Sequence, residues 1–285
     1  MTATISPRRS LIFTPANRPT LFAKSATSGA DMICIDLEDA VAADQKAAAR
    51  ADALKFLLQD SGTAPERIVR INQPNTPIGK EDFISAIEKD HIAGTILIPK
   101  VESAEEIQDL QKQITAKKSS LRLAIMIETI LGIENCFEIL KNNPGLDFAM
   151  FGGADLAAEL GTAVAPEPLA YGRSRLIYAA KHAHVDVLDM PCLNFKDAEQ
   201  VKVETTSAKA LGFTGKAVIH PDNINVVNQT FTPTKADLEL AQRFVKAYQE
   251  SKTGVAVVDG RLVEKPVVHA MELILARGRA AGLIP

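Results

Sequence analysis

Eight short runs of apolar and β-branched residues recur along this chain, each followed by a longer stretch with helical spacing. The runs are SLIFTP (10–15), MICIDLE (32–38), RIVRIN (67–72), GTILIPKV (94–101), RLAIMIET (122–129), DFAMFGG (147–153), DVLDMP (186–191) and KAVIHP (216–221). Helix-patterned segments lie between them, among them 44–59, 103–115, 167–183 and 196–211. In the last of these, Val201, Ala208 and Leu211 are spaced for one apolar stripe. About eight strand–helix units over roughly 250 residues is the count a (β/α)8 TIM barrel requires. A doubly wound open sheet is the alternative fold. That fold more often carries an early glycine-rich turn for a nucleotide, and neither GxGxxG nor GxxxxGK[ST] occurs here.

The remainder falls outside the eight units. Residues 1–233 are expected to form the barrel and catalytic domain, and 234–285 a C-terminal helical extension or lid that contributes to an oligomer interface. The extension opens with TKADLELAQRFVKAYQES, where Thr234 and Asp237 have the spacing of a capping box. GVAVVDGRLVEKPVV then reads as an extended piece with a turn at Asp259-Gly260, and HAMELILARGRAAG as an amphipathic helix. KKSS at 117–120 reads as an exposed loop.

Composition narrows the function. A formal net charge of −3 supplies no basic field for nucleic acid or an acidic membrane surface, and 5% aromatic residues without Trp leave little for base stacking. No apolar run approaches membrane-spanning length, and MTATISPRR lacks the apolar core of a signal peptide. Cys34, Cys136 and Cys192 are scattered and show no metal spacing, so a reduced, cytoplasmic setting is expected.

A barrel of this kind builds its active site at the C-terminal ends of the strands. Those ends supply Glu38 and Asp39, Arg70 and Asn72, Lys100 and Glu102, Glu128, Asp155, Asp189 and His220. Singly, each has a plain structural reading. Lys100 or Glu102 can begin a solvated helix, Asp155 can be a first-turn helix acid, and His220 a hydrogen-bonded barrel-end residue. His182 and His184 are expected in solvent near a helix end. Jointly, Glu128 and Asp155 place two hard oxygen ligands side by side, a set suited to Mg²⁺ with waters and a chelating substrate. Arg70 is then placed to hold a carboxylate or an oxyanion. A purely structural Arg–Glu–Asp network is the competing reading. Alternation along MICIDLED puts Asp36 and Glu38 on one side and Asp39 on the other, with Asp36 as a structural acid.

These residues also carry a resemblance. RRSLIFTPANRP, GADMICIDLEDAVAADQKAAAR, VRINQPNTPIG, ILIPKVESAEEI, IMIETILGIENC, FGGADLAAELG, LGFTGKAVIHPDNI and VDGRLVEKPVV resemble the HpcH/HpaI aldolase/citrate lyase superfamily, in its citrate-lyase-β-like branch. The resemblance implies a barrel with a C-terminal extension, assembled as a homotrimer or hexamer, and a Mg²⁺-dependent carbon–carbon lyase acting on a CoA thioester. It implies that Glu128 and Asp155 bind Mg²⁺, that Arg70 binds substrate, and that Glu38 and Asp39 orient waters and ligands around the metal. Arg18 and Lys24 would meet the CoA phosphates, and Met190 and Pro191 would line the thioester path. Two positions depart from the family pattern. FGxEDL becomes FGGADL, with Ala154 at the acid, and the tail acid usually present as Asp is Glu264. Glu264 would act as acid/base for a neighbouring subunit, one methylene longer than usual. A malyl-CoA-type thioesterase and a non-catalytic CoA-thioester-binding protein are the alternative functions.

Overall fold

The computed structural model describes residues 7–58, 65–251 and 253–285. Parallel strands β1 (Ser10–Pro15), β2 (Met32–Asp36), β3 (Glu66–Arg70), β4 (Ala93–Ile98), β5 (Ser120–Ile127), β6 (Phe148–Phe151), β7 (Asp186–Asp189) and β8 (Gly215–Val218) pair in sequence order. The barrel closes where Leu11 pairs with Ala217. Helices α1 (Phe22–Ala26), α2 (Lys46–Leu58), α3 (Pro77–Ile87) and α4 (Ala104–Ala116) follow the first four strands. Then come α5 (Ile130–Lys141), α6 (Gly153–Leu160), α7 (Pro166–His182), α8 (Ala198–Leu211) and α9 (Ile224–Phe231). The open-sheet alternative is thereby excluded.

Two residue patterns drive this arrangement. The strands carry side chains inward at every second position. Leu11, Met32, Cys34, Ile68, Leu97, Ala124, Met126, Phe148, Met150, Leu188 and Ala217 meet in one buried cluster that fills the barrel. The helices, in turn, start where a polar side chain can satisfy their first N–H groups. Thr76 accepts from Gly79, Ser103 from Glu106, Thr129 from Gly132 and Asp197 from Glu199 and Gln200. Each of these caps ends a strand-to-helix loop, so the caps fix the loops that carry the site.

The opposite end of the barrel is closed by charge. Arg8 is mostly buried against Phe148, 5.9 Å from the ring centroid, and meets Glu66 at 2.9 Å, Asp147 at 3.3 Å and Asp186 at 3.5 Å. One guanidinium thus ties the beginnings of β3, β6 and β7 together.

The observed strands stop earlier than the apolar runs suggest. β2 ends at Asp36, β3 at Arg70, β4 at Ile98 and β5 at Ile127, because the ladder's last pairs are made there. Glu38, Asn72, Lys100 and Glu128 therefore sit just past the sheet, in loops. In the 117–120 stretch, Ser120 already belongs to β5.

Chain contacts divide Arg8–Asn228 from a second unit running from Gln229 to Pro285. In the second unit, α10 (Lys235–Glu250) carries the expected capping box between Thr234 and Asp237. A hairpin of β9 (Ala256–Val258) and β10 (Arg261–Val263) turns through Asp259 and Gly260, both at positive φ as a two-residue turn demands. The last helix, α11 (Lys265–Ala280), starts earlier than the sequence pattern suggests. KPVV is not extended: Pro266 stands in the first helical turn, where its missing N–H costs nothing. Phe244, Val263 and Val268 form the buried core of this unit.

Candidate functional site

Inward alternation leads directly to the polar rim. On β2 the inward series Met32, Cys34 continues to Asp36, on β3 Ile68 continues to Arg70, and on β5 Ala124, Met126 continues to Glu128. Asp36 and Arg70 are also register partners on neighbouring strands, so their pairing follows from the ladder itself. Arg70 donates from Nε to Asp36 Oδ1 at 2.7 Å and from Nη2 to Asp36 Oδ2 at 2.6 Å, a bidentate fork. Its Nη1 lies 2.9 Å from Glu38 Oε2 and 3.3 Å from Asp39 Oδ2, and Phe13 underlies the guanidinium at 5.0 Å. Burial disfavours the charge on Arg70, but Asp36, then Glu38 and Asp39, outweigh it and hold the proton more firmly than usual.

Here the expected split of the acids fails. Asp36, Glu38 and Asp39 all converge on Arg70. Strand alternation ends at Asp36, and the turn that follows brings Asp39 back to the same cation. The turn is pinned from outside by Lys46, whose Nζ donates to the carbonyls of Leu37 (3.0 Å) and Glu38 (2.7 Å) and to Asn72 Oδ1. Asn72 in turn donates to Asp82 Oδ2 at 2.6 Å. Asn72 therefore braces the rim and does not line the cavity.

Glu128 is only 1% exposed. Its Oε1 accepts from the Lys100 backbone N–H at 2.9 Å, whereas its Oε2 is buried without any hydrogen-bond partner. Burial, then the negative charges of Glu38 and Asp155, push the Glu128 carboxyl up to about 8. Burial also raises Glu38. Gly152 leaves room for this carboxylate: a Cβ there would lie 2.2 Å from Glu128 Oε2. Asp155 stands in the first turn of α6, where the helix N-terminus favours an acid, and Lys100 Nζ reaches it at 3.4 Å. The same ammonium lies 3.2 Å from Glu38 Oε1. An orphaned carboxylate oxygen, a neighbouring Asp and a cation already standing between carboxylates together make a place a hard divalent cation fits. Among the described residues no group of three or more His, Cys, Asp or Glu is placed to hold a metal ion by itself.

These groups open onto a cavity of about 360 Å³ lined by Asp36, Asp39, Arg70, Glu128, Ala154 and Asp155 on its polar side. Phe13, Met126, Met150, Phe151, Met190 and Pro191 form its apolar wall. A second cavity of about 410 Å³ is lined by the exposed Arg18 and Lys24. Phe13, Pro15 and Ile219 border both, so a long ligand could run from one to the other.

Other expected positions fall elsewhere. Asp189 is buried and belongs to a separate network with Lys216 (2.8 Å) and Arg173 (2.8 Å). His220 stacks on Phe195 at 5.4 Å, and its Nδ1 accepts from the Asp222 N–H, the barrel-end arrangement. His182 and His184 are exposed. Glu264, also exposed, is the N-cap of α11 in the second unit. Cys34, Cys136 and Cys192 are free and buried. The sequence reading underrated Lys100 and missed Lys46, Gly152 and two methionines of the wall, Met126 and Met150, whereas Met190 was expected there. For Lys100 the only signal was its position after β4.

Fold and rim define a class: a parallel-barrel enzyme whose C-terminal end gathers carboxylates around an anchored arginine. Residues 9–221 match the family model HpcH/HpaI aldolase/citrate lyase, and 176–282 match a carbon–carbon bond lyase of the TIM-barrel fold. The chain is 36% identical over 280 residues to a (3S)-malyl-CoA thioesterase of Cereibacter sphaeroides, covering 96% of this chain and 95% of that one. It is 32% identical over 289 residues to a citrate lyase subunit beta of Leuconostoc mesenteroides subsp. cremoris, covering 97% and 95%. A crystal structure of CitE from Mycobacterium tuberculosis in complex with magnesium, acetoacetate and coenzyme A superposes with a TM-score of 0.78 at 30% identity, over 98% of this chain and 100% of that one. The chain belongs to the HpcH/HpaI aldolase/citrate lyase family and is an enzyme of its carbon–carbon lyase class. No helix among the described residues is long and apolar enough to cross a membrane.

Proposed function

We propose that this protein is a Mg²⁺-dependent lyase that cleaves a β-hydroxyacyl-CoA of the malyl, citramalyl or citryl type into an acyl-CoA and a 2-oxo acid. The observation that carries the reading is the buried Glu128 Oε2, left without a partner beside Asp155 and Arg70 at the mouth of the cavity. Glu128 and Asp155 are the ligands of the metal. Bound there, magnesium supplies Lewis-acid polarisation of the substrate's hydroxyl and carboxylate oxygens. Arg70, locked by Asp36, turns its Nη1 edge, which Glu38 and Asp39 share in this structure, to the oxyanion of the acyl-CoA enolate, and Glu38 and Asp39 orient waters and ligands. Arg18 and Lys24 bind the CoA phosphates, and Met190 and Pro191 guide the thioester. The C-terminal unit is an interface and lid, and Glu264 from a neighbouring copy in a homotrimer or hexamer moves the proton to and from the enolate carbon. The relatives supporting this reading are the citrate lyase subunit and the magnesium- and coenzyme A-bound CitE.

A thioesterase on the same site is the second reading, favoured by the 36% identity to the malyl-CoA thioesterase. Product identification on malyl-, citramalyl- and citryl-CoA with MgCl₂ separates the two. Cleavage yields acyl-CoA and oxo acid, and hydrolysis yields free CoA and the intact hydroxy acid. Glu128→Ala should abolish either activity. Full lyase activity of that variant in EDTA would sink the proposal.

A further inference from the structure

Lys100 stands at the rim, and its backbone and side chain serve different carboxylates. Its φ is +53°, in the left-handed region that a residue with a Cβ seldom occupies. That conformation turns its N–H onto Glu128 Oε1 at 2.9 Å and sends its side chain to Glu38 and Asp155. The rim's other cation, Arg70, is already committed to Asp36, Glu38 and Asp39. The ammonium is therefore the cation that Glu38 shares with Asp155. Burial opposes its charge, but Glu38, Asp155 and Glu128 outweigh burial and hold the proton more firmly than usual.

We propose that Lys100 is a tethered counter-cation: its ammonium stands between Glu38 and Asp155 before metal enters and must yield the Asp155 oxygen to it, so that Lys100 sets the metal affinity of the site. The inference rests on the reading of Glu128 and Asp155 as magnesium ligands. Mg²⁺ requires oxygens at close, nearly octahedral distances, and an ammonium sharing the same carboxylate edge both blocks and repels it. The backbone bond need not change. It steadies Glu128 Oε1 while Oε2 stays open to the metal. Lys100 is thus a positioning residue, and a four-carbon stem lets its ammonium swing aside without disturbing the loop.

The test is calorimetric titration of the full-length protein with MgCl₂ alone. Lys100→Met removes the competitor, and magnesium should bind at least about tenfold tighter, a gain of about 1.4 kcal/mol. Lys100→Gly, which also relieves the left-handed backbone, should tighten binding in the same direction, whereas Lys100→Arg, which keeps the charge, should not. Without metal, Lys100→Met should melt below the wild type, and saturating magnesium should close the gap. Unchanged or weaker magnesium binding in both Lys100→Met and Lys100→Gly would overturn the inference and leave the magnesium reading standing. A wild-type protein that takes up no magnesium would overturn both.

Discussion

Gly152 offers the sharpest test of how Glu128, the proposed magnesium ligand, is held. Its φ of −100° and ψ of 73° are open to alanine, so Gly152→Ala adds only a methyl group. That methyl would stand 2.2 Å from Glu128 Oε2, 2.3 Å from its Cβ and 3.0 Å from its Cδ. Ordinary contact lies near 3.5 Å, so Glu128 must retreat by about 1.2 Å or more. It cannot turn into solvent, being buried, and Oε1 is tied to the Lys100 N–H.

A ligand displaced that far leaves the tight octahedral shell of Mg²⁺, and a misplacement near 1 Å costs on the order of a hundredfold. Gly152→Ala should therefore weaken magnesium binding and kcat/KM by about a hundredfold, while overpacking costs about 1–3 kcal/mol of stability. Calorimetry with MgCl₂, a product assay and a thermal melt measure the three effects. Gly153→Ala is the control, because the nearest atoms its methyl meets belong to Met190 at 2.3 Å, Phe151 at 2.8 Å and Leu169 at 3.2 Å. That variant should disturb the apolar wall and KM with magnesium affinity kept. Near wild-type magnesium affinity in Gly152→Ala would refute the assignment of Glu128 Oε2 to the metal.

Arg8→Met strips the closed end of the barrel of the guanidinium that Glu66, Asp147 and Asp186 share, and Arg122 compensates only Asp147 and Glu66. A loss of about 3 kcal/mol is expected, seen as a fall in Tm of about 6–12 °C, with magnesium affinity unchanged because the metal end is untouched. In the metal-free fold the Glu128 carboxyl is pushed up to about 8 from an ordinary 4.5. The folded state then holds a proton the unfolded chain has lost, so this contribution to stability is complete below 4.5 and disappears as pH rises through 8. Magnesium needs the ionised carboxylate, so the rise in Tm on adding MgCl₂ should be larger at about pH 8.5 than at about pH 6, and Glu128→Gln should flatten that difference.

Much of this site was legible in one dimension. Glu128 and Arg70 stand out because each breaks an apolar run at an inward position, and the period of two extends from Met126 to Glu128 and from Ile68 to Arg70. The eight runs themselves announce the barrel, since only buried strands tolerate them. What the sequence could not convey is register between strands and conformation beyond them. Asp36 meets Arg70 because the β2–β3 ladder aligns them, 34 positions apart. Asp39 joins them because alternation lapses where the strand ends. Lys100 needs a left-handed backbone, which nothing in ILIPKVES demands, and Gly152 matters only beside Glu128, a residue just past the end of β5. Arg8 draws on acids from three distant strands, so its role was invisible.

The charges of the rim explain why these pieces belong together. Asp36, Glu38, Asp39, Glu128 and Asp155 face Arg70 and Lys100, so carboxylates outnumber cations by five to two. Asp36 and Arg70 neutralise one another as a buried fork and serve as a fixed floor. The surplus falls on Glu38, Asp39, Glu128 and Asp155, with one ammonium, that of Lys100, among them. In a low-dielectric pocket such a surplus is costly, and Glu128 relieves it by holding a proton well above the usual carboxylate range. A substrate carrying its own carboxylate would add to the repulsion, so an anionic ligand gains a foothold only where a divalent cation has first offset the surplus. On the proposed function, the rim is in this sense arranged against its substrate until magnesium is in place. That order of binding follows from the surplus of carboxylates over Arg70 and Lys100 and from the burial of Glu38 and Glu128, without appeal to any motion of the barrel.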